Sequence, residues 1–196
     1  MATYIIEHLE TEIWEWCLYE YKHISNIVGK ENLWIINVNI KDKNFVKLKK
    51  FARVFEKSVA DLSLDLKRVC ILDAEGGKEL KPAETSGFDY YVFGGILGDS
   101  PPRKRTGPEL TVRMKGASVR NLGKEQFPTD NAVYVVKEIV SGIALEKMKF
   151  KDGLTIKLGD GKVLEEFILP FKYVLVNGKP LISQKVLKYL RSKKGF

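Results

Sequence analysis

The strongest constraint in this 196-residue chain is a series of short, unbroken apolar runs separated by stretches of helical spacing. Residues 3–7 form the first run and end in a carboxylate; residues 33–38, 68–72 and 90–93 form three more. A strand that is apolar at every position is covered on both faces, as in a parallel sheet with crossover connections. Residues 12–28 place Ile13, Trp14, Cys17, Leu18, Tyr21, Ile24, Ile27 and Val28 at helical intervals, and Gly29 supplies the stop. Residues 44–57 read as a second helix with a basic face of Lys47, Lys49, Lys50, Arg53 and Lys57. Residues 117–120 read as a fifth strand, and 130–141 as a helix capped by Thr129 or Asp130 and ended by Gly142. The expected fold class is α/β with a parallel sheet.

Beyond Lys147 the pattern changes to hairpins. Residues 154–158 and 163–168 flank Gly159-Asp160-Gly161, and residues 173–176 run into Asn177-Gly178 before a final helix from Ser183. The chain therefore divides into an α/β body, 1–145, and a β-rich extension, 146–196, packed on it. A hydrophobic content of 44% supports a real core and excludes a disordered or fibrous chain. With 33 Lys and Arg against 25 Asp and Glu, the net charge of +8 favours an acidic partner such as nucleic acid or the ribosome surface. Cys17 and Cys70 lie in apolar sequence and read as buried reduced thiols, and no Cys/His cluster has metal-ligand spacing. With no secretory leader and no apolar run of membrane-spanning length, a soluble cytoplasmic protein with no membrane partner is expected.

In a parallel sheet the loops leaving the carboxyl ends of the strands form the ligand crevice. Such loops start at Glu7-His8, after Val38, at Asp73 and at Gly94. The segment GGILGDSPPRKRT, 94–106, is the most unusual: Gly94, Gly95 and Gly98 allow close backbone approach, and the prolines stiffen the exit. LGKEQFPTD, 122–130, repeats the pattern of glycine, proline and helix start. Either loop taken singly is equally compatible with turns that serve geometry alone. The first strand is followed by EHLETE rather than GxGxxG, and no GxxxxGK[ST], GxSxG or HExxH occurs, which removes most of the case for dehydrogenation, nucleotide hydrolysis and zinc chemistry.

FDYYVFGGILGDSPPRKRT (88–106), LGKEQFPTDNA (122–132), the opening YIIEHLE with Glu15-Trp16, and PFKYVLVNGKP (170–180) carry a resemblance that spans nearly the whole chain. Together they are similar to the SPOUT superfamily, in the group of ribosomal-protein arginine methyltransferases. The resemblance implies a deep trefoil knot, an exception to the rule that chains do not thread, and S-adenosyl-L-methionine as methyl donor. Glycines that arrive at the fourth and fifth strands rather than the first fit such a knot. The resemblance assigns the cofactor to Leu72, Gly94, Gly95, Ile96, Gly98, Leu122, Gly123, Phe127, Thr129 and Ala132. Phe127-Pro128 departs from the Met-Thr that related sequences tend to have.

A protonated guanidinium has no lone pair with which to attack a sulfonium, so methyl transfer to arginine needs a carboxylate that orients the fork and accepts the proton. Asp99 and Glu7 are the acids expected to face the crevice. The bland alternatives are that Asp99 braces its own turn and that Glu7 caps a helix or pairs with a lysine. Arg103, as a substrate contact, and Arg105, counted with Asp99 and Glu7 as catalytic, follow Asp99; they engage a phosphate, hold the acids in place or lie on a solvated face. His8 reads as structural, and Trp14, Trp16, Tyr19 and Tyr21 as packing. The expected acceptor is an arginine of a ribosomal protein. The alternatives are methylation of rRNA or tRNA, or a silent RNA-binding knot. SPOUT enzymes dimerise through the knot, but the long extension is placed to cover that face, which favours a monomer.

Overall fold

The computed structural model describes residues 2–96, 104–158 and 165–192. The body comprises β1 (Thr3–His8), α1 (Glu15–Val28), β2 (Leu33–Ile36), α2 (Phe45–Lys49), β3 (Arg53–Val54), β4 (Val69–Leu72), β5 (Tyr90–Gly95), α3 (Thr106–Glu109), β6 (Ser118–Arg120) and α4 (Thr129–Val140). Its six strands form one sheet in the order β3-β2-β1-β5-β4-β6, and every pairing is parallel. The unbroken apolar runs are explained by cover on both faces. Tyr4, Ile6, Ile35, Cys70, Leu72, Tyr91 and Phe93 share a core with the apolar sides of α1 and α4. Ile5, Ile36, Val69, Ile71 and Val92 lie in a second core with Val59, Leu110 and Met114. Both cysteines are buried free thiols.

Helix α1 ends where expected: Gly29, at φ +86°, donates its N–H to Ser25 O at 2.9 Å. Its start is later than the spacing suggests, because residues before Glu15 are tied elsewhere. The Ile13 amide donates to Asp42 Oδ2 and the Ile13 carbonyl accepts from Asn44 Nδ2, each at 2.8 Å. Trp14 is 43% exposed, contrary to the packing role expected of it. Tyr21 is buried, while Trp16 meets Phe167 and Tyr19 meets Tyr189.

The expected helix over 44–57 is corrected to the five residues of α2. Phe51 and Ala52 turn inward, the Phe51 carbonyl accepts from Ser25 Oγ at 2.6 Å, and Arg53–Val54 joins the sheet beside Trp34 and Ile35. Burial of two apolar residues and a strand edge outweighs helix propensity here, so the five basic residues share no single helical face.

The extension holds β7 (Phe150–Leu158), β8 (Glu165–Val176) and β9 (Lys179–Pro180), an antiparallel sheet in the order β7-β8-β9, followed by α5 (Gln184–Ser192). Of the two short strands expected at 163–168 and 173–176, residues 165–168 and 173–176 belong to one long strand that passes through Pro170; residues 163–164 and the Gly-Asp-Gly turn lie outside the described residues. A proline is tolerated mid-strand because the register shifts opposite it, between Asp152 and Leu154, where Gly153 has φ +67°. Ile156, Leu169, Phe171 and Tyr173 pack with Val186 and Leu190 of α5, and with Trp16 and Tyr19 of α1.

One buried side chain joins body and extension. Asn131, in the first turn of α4, accepts from the Val174 amide and donates to the Leu181 carbonyl, both at 2.9 Å. Asn131→Ala leaves that amide and carbonyl without partners, and urea unfolding is expected to show a loss of about 2–3 kcal/mol; an unchanged midpoint would mean that the tie contributes nothing. Gly95 answers to packing as well. A Cβ there would lie 2.5 Å from Tyr21 Oη and 2.8 Å from Ile6 Cγ2. Gly95→Ala is expected to cost about 1–3 kcal/mol in thermal unfolding of the ligand-free chain, whereas a purely cofactor-facing glycine would show no loss.

Candidate active site

The carboxyl ends of β5, β4 and β6 lie side by side, and the loops that leave them enclose a cleft of about 650 Å³. That size suits a small-molecule site. Leu72, Phe93, Ile96, Leu122, Phe127 and Ala132 give it apolar surface, and Gly76, Gly94 and Gly123 leave backbone uncovered. The absence of side chains is required, not incidental: a Cβ on Gly94 would come within 2.9 Å of Thr106 Oγ1, and Gly123 has φ +92°. Charges along the rim offset one another. Glu75 pairs with Lys104 at 2.9 Å, and Glu125 with Lys172 at 3.3 Å.

Asn121 is the clamp of this cleft. Its Nδ2 donates to the Gly76 carbonyl, and its Oδ1 accepts the Gly123 amide at 3.0 Å, so one side chain fixes the loops after β4 and β6 together. Asp73 closes the end of β4: its amide donates to Arg120 O at 2.9 Å, and its carboxylate accepts from the Glu75 amide and the Thr111 hydroxyl. Arg120 makes a two-pronged pair with Glu84 at 2.7–3.0 Å, which holds the Glu84 carboxyl below its usual range. Sequence reasoning missed Asn121, Gly76 and Thr106. The only local sign of Asn121 is its place before Leu122-Gly123, where an Asx side chain can bond the amide two residues on.

Of the residues assigned to the cofactor, Leu72, Gly94, Ile96, Leu122, Gly123, Phe127, Thr129 and Ala132 line this one cleft. Gly95 is placed against Tyr21 instead, and Gly98 lies outside the described residues. Asp99 and Arg103 also lie outside them. Glu7 is corrected. It is 0% exposed rather than open to the crevice, and its Oε2 accepts the Val59 amide at 2.8 Å. Burial pushes this carboxyl above its ordinary value, against the opposing pull of Ser58 and the Val59 amide. The strand alternation explains the difference: consecutive side chains face opposite sides, so Glu7 joins the Val59 side while His8 bonds Tyr21 Oη at 2.9 Å. Burial pushes the His8 imidazole down, which fits a structural role.

Arg105 lines the cleft, and among the described residues it holds Glu10, Glu109 and Leu9 rather than Glu7. Its Nε and Nη2 donate to Glu109 at 2.6 and 3.2 Å, its Nη1 to Glu10 and its Nη2 to Leu9 O, each at 2.8 Å. The guanidinium thereby ties α3 to the chain leaving β1. Helix α4 also differs in its cap. Pro128, not Thr129 or Asp130, occupies the cap position and has no side-chain acceptor; the Asp130 amide donates instead to Glu20 Oε1 of α1, at 3.2 Å. Among the described residues there is no group of three His, Cys, Asp or Glu able to hold a metal, and no helix long and apolar enough to cross a membrane.

Comparison with known proteins agrees with this architecture. The Saccharomyces cerevisiae protein arginine N-methyltransferase SFM1 is 35% identical over 202 residues, covering 96% of this chain and 93% of that one. The crystal structure of the yeast enzyme complexed with SAH matches with a TM-score of 0.83 at 36% identity, over 96% of this chain and 94% of that one. Its complex with SAM gives 0.84 at 35% identity, over 97% and 91%. A dual specific Trm10 from Thermococcus kodakaraensis, at 15% identity and a TM-score of 0.58 over 75% of this chain and 96% of that one, shares the SPOUT-type fold alone. The family described as protein arginine N-methyltransferase SFM1-like matches residues 3–195. By extent of match and by identity, this chain belongs to the SFM1-like family of protein arginine N-methyltransferases.

Proposed function

We propose that this protein transfers a methyl group from S-adenosylmethionine to an arginine of a ribosomal protein, acting as a monomer in the cytoplasm. The observation that carries the proposal is the convergence of eight assigned cofactor residues, from three separate loops, on one cleft at the carboxyl edge of the sheet. Leu72, Ile96, Leu122, Phe127 and Ala132 offer apolar surface, and the bare backbone at Gly76, Gly94 and Gly123 admits a ligand held by main-chain groups. When bound, S-adenosylmethionine supplies a methyl carbon whose bond to sulfur breaks, leaving a neutral thioether, as its bond to the acceptor nitrogen forms.

The chain's own part is to present the acceptor nitrogen, exclude water and take one proton from it. Arginine does not lose that proton to water at neutral pH, so a carboxylate must receive it as the new bond forms. We assign that role to Asp99, three residues beyond Ile96; Glu7 is enclosed and is not assigned it. Arg105 has four hydrogen bonds to described residues, which disfavours it as a phosphate contact and so favours a protein acceptor over RNA. The net charge of +8 suits docking on an RNA-rich particle that displays the acceptor. The monomer is supported by the extension, whose β8 and α5 lie against α4 and α1.

Ribosomes from cells lacking the protein, incubated with it and labelled S-adenosylmethionine, are expected to carry the label in the protein fraction. Label confined to RNA and lost on ribonuclease treatment would contradict a protein acceptor. Asp99→Asn is expected to leave S-adenosylhomocysteine affinity unchanged and to slow methylation by about two to four orders of magnitude. Near-wild-type turnover would remove Asp99 from the mechanism.

A further inference from the structure

The charge excess of this chain is not spread evenly. Residues 146–196 hold twelve Lys and Arg against five Asp and Glu, whereas residues 1–145 hold twenty-one against twenty, so the extension carries +7 of the net +8. Three of those cations lie on α5, which has no acid. Lys185, Lys188 and Arg191 are all exposed and follow one another at intervals of three. At a rise of about 1.5 Å per residue they form one ridge about 9 Å long. The opposite side of the helix is spent on packing: Val186 and Leu190 are buried against Ile156, Leu169, Phe171 and Tyr173.

Strand register adds to the ridge and separates it from neighbouring acids. Residues paired directly across an antiparallel ladder share a face. Lys151 pairs with Tyr173, which packs with α5, so Lys151 projects from the face of the hairpin that carries this helix. Lys149, whose carbonyl accepts the Leu175 amide at 2.7 Å, lies two residues earlier on the same face. Asp152 pairs with Lys172, and Lys157 with Glu166, which puts those four side chains on the other face, where the charges offset one another. Lys172 is also 3.3 Å from Glu125. By contrast, Lys149, Lys151, Lys185, Lys188 and Arg191 are exposed and have no ion-pair partner among the described residues. Five such cations repel one another and are relieved by a polyanion.

The chemistry of this surface selects its partner. A helix that lies on a membrane buries an apolar side in the lipid, and the apolar side of α5 is already enclosed. A protein interface has an apolar centre and few lysines. Ile168, an exposed aliphatic residue of the extension, pairs with Thr155 on the other face and supplies no such centre here. Single-stranded nucleic acid is held by stacking bases on aromatic rings, but Tyr189 is turned to Tyr19 of α1. Cations on a rigid ridge without a stacking platform suit the phosphate rows of a double helix, which such side chains contact without reading sequence. We propose that the α5 ridge, extended by Lys149 and Lys151, docks the protein on double-helical RNA. This rests on the ribosomal acceptor proposed above: a particle rich in RNA helices is held through the extension while the acceptor arginine reaches the cleft.

The test follows the fluorescence anisotropy of a labelled RNA duplex of arbitrary sequence titrated with the full chain, at salt concentrations between about 50 and 200 mM. Lys185→Gln, Lys188→Gln and Arg191→Gln combined are expected to weaken binding about tenfold or more and to reduce the slope of log affinity against log salt by about two to three. Lys149→Gln with Lys151→Gln is expected to weaken binding independently. Lys41→Gln, Lys47→Gln and Lys50→Gln combined remove the same charge from exposed positions of the body and are expected to leave duplex binding unchanged. The α5 variant is expected to raise KM for ribosomes, with kcat and turnover of the isolated acceptor protein unchanged. The proposal is overturned if the α5 variant binds the duplex as tightly as the wild type, if the body variant loses as much affinity as the α5 variant, or if the chain binds phosphatidylserine vesicles and not the duplex. Duplex binding that depends on α5 supports this surface even where the wild-type chain transfers no methyl group to ribosomes, a result that overturns the methyltransferase reading alone.

Discussion

The first turn of α4 is the joint on which the rest of the structure depends. Within two consecutive residues, Asp130 binds α1 through Glu20 and His23, and Asn131 binds the extension through Val174 and Leu181. Glu20, Asp130, Asn131 and Val174 are buried, where an unpaired polar atom is expensive, so the network favours one arrangement of helix, sheet and hairpin. Because Thr129 and Ala132 of the same turn line the cleft at the carboxyl edge of the sheet, a fault in the joint is also a fault in that cleft.

The same turn explains why two cavities stand back to back. Gln126, Phe127 and Thr129 lead into α4 and line the cleft on one side and, on the other, a cavity of about 380 Å³ walled by Trp16, Phe167, Phe171 and Tyr173. Glu20 completes the helix cap that Pro128 cannot supply, which keeps an acid in the wall of that aromatic cavity. A cap made by a hydroxyl would have satisfied the helix equally well. Placing a carboxyl there from another helix buries an acid, at the expense of desolvating it.

Much of the fold was legible because its signals are local. Continuous apolar runs marked buried parallel strands, and Gly29 marked the end of α1. The glycine loops marked the cleft for the same reason, since a missing side chain is visible in the sequence. What was not legible depends on distant partners. The 44–57 segment loses its helix to burial of Phe51 and to pairing with β2. Arg105 finds Glu10, 95 positions away in sequence, rather than Glu7, and Gly95 proves to make room for Tyr21. Glu7 was placed correctly at a strand end but on the wrong side of the sheet, because alternation decides which face a terminal residue takes once the register is fixed. The aromatic cavity draws on residues 16 to 186 and has no contiguous signature at all.

The most direct test is a crystal structure of the chain with S-adenosylhomocysteine bound. S-adenosylhomocysteine is expected between the loops that hold Leu72, Gly94 and Leu122. S-adenosylhomocysteine seated in the aromatic cavity instead, with those loops uncontacted, would contradict the assignment of this cleft to the cofactor.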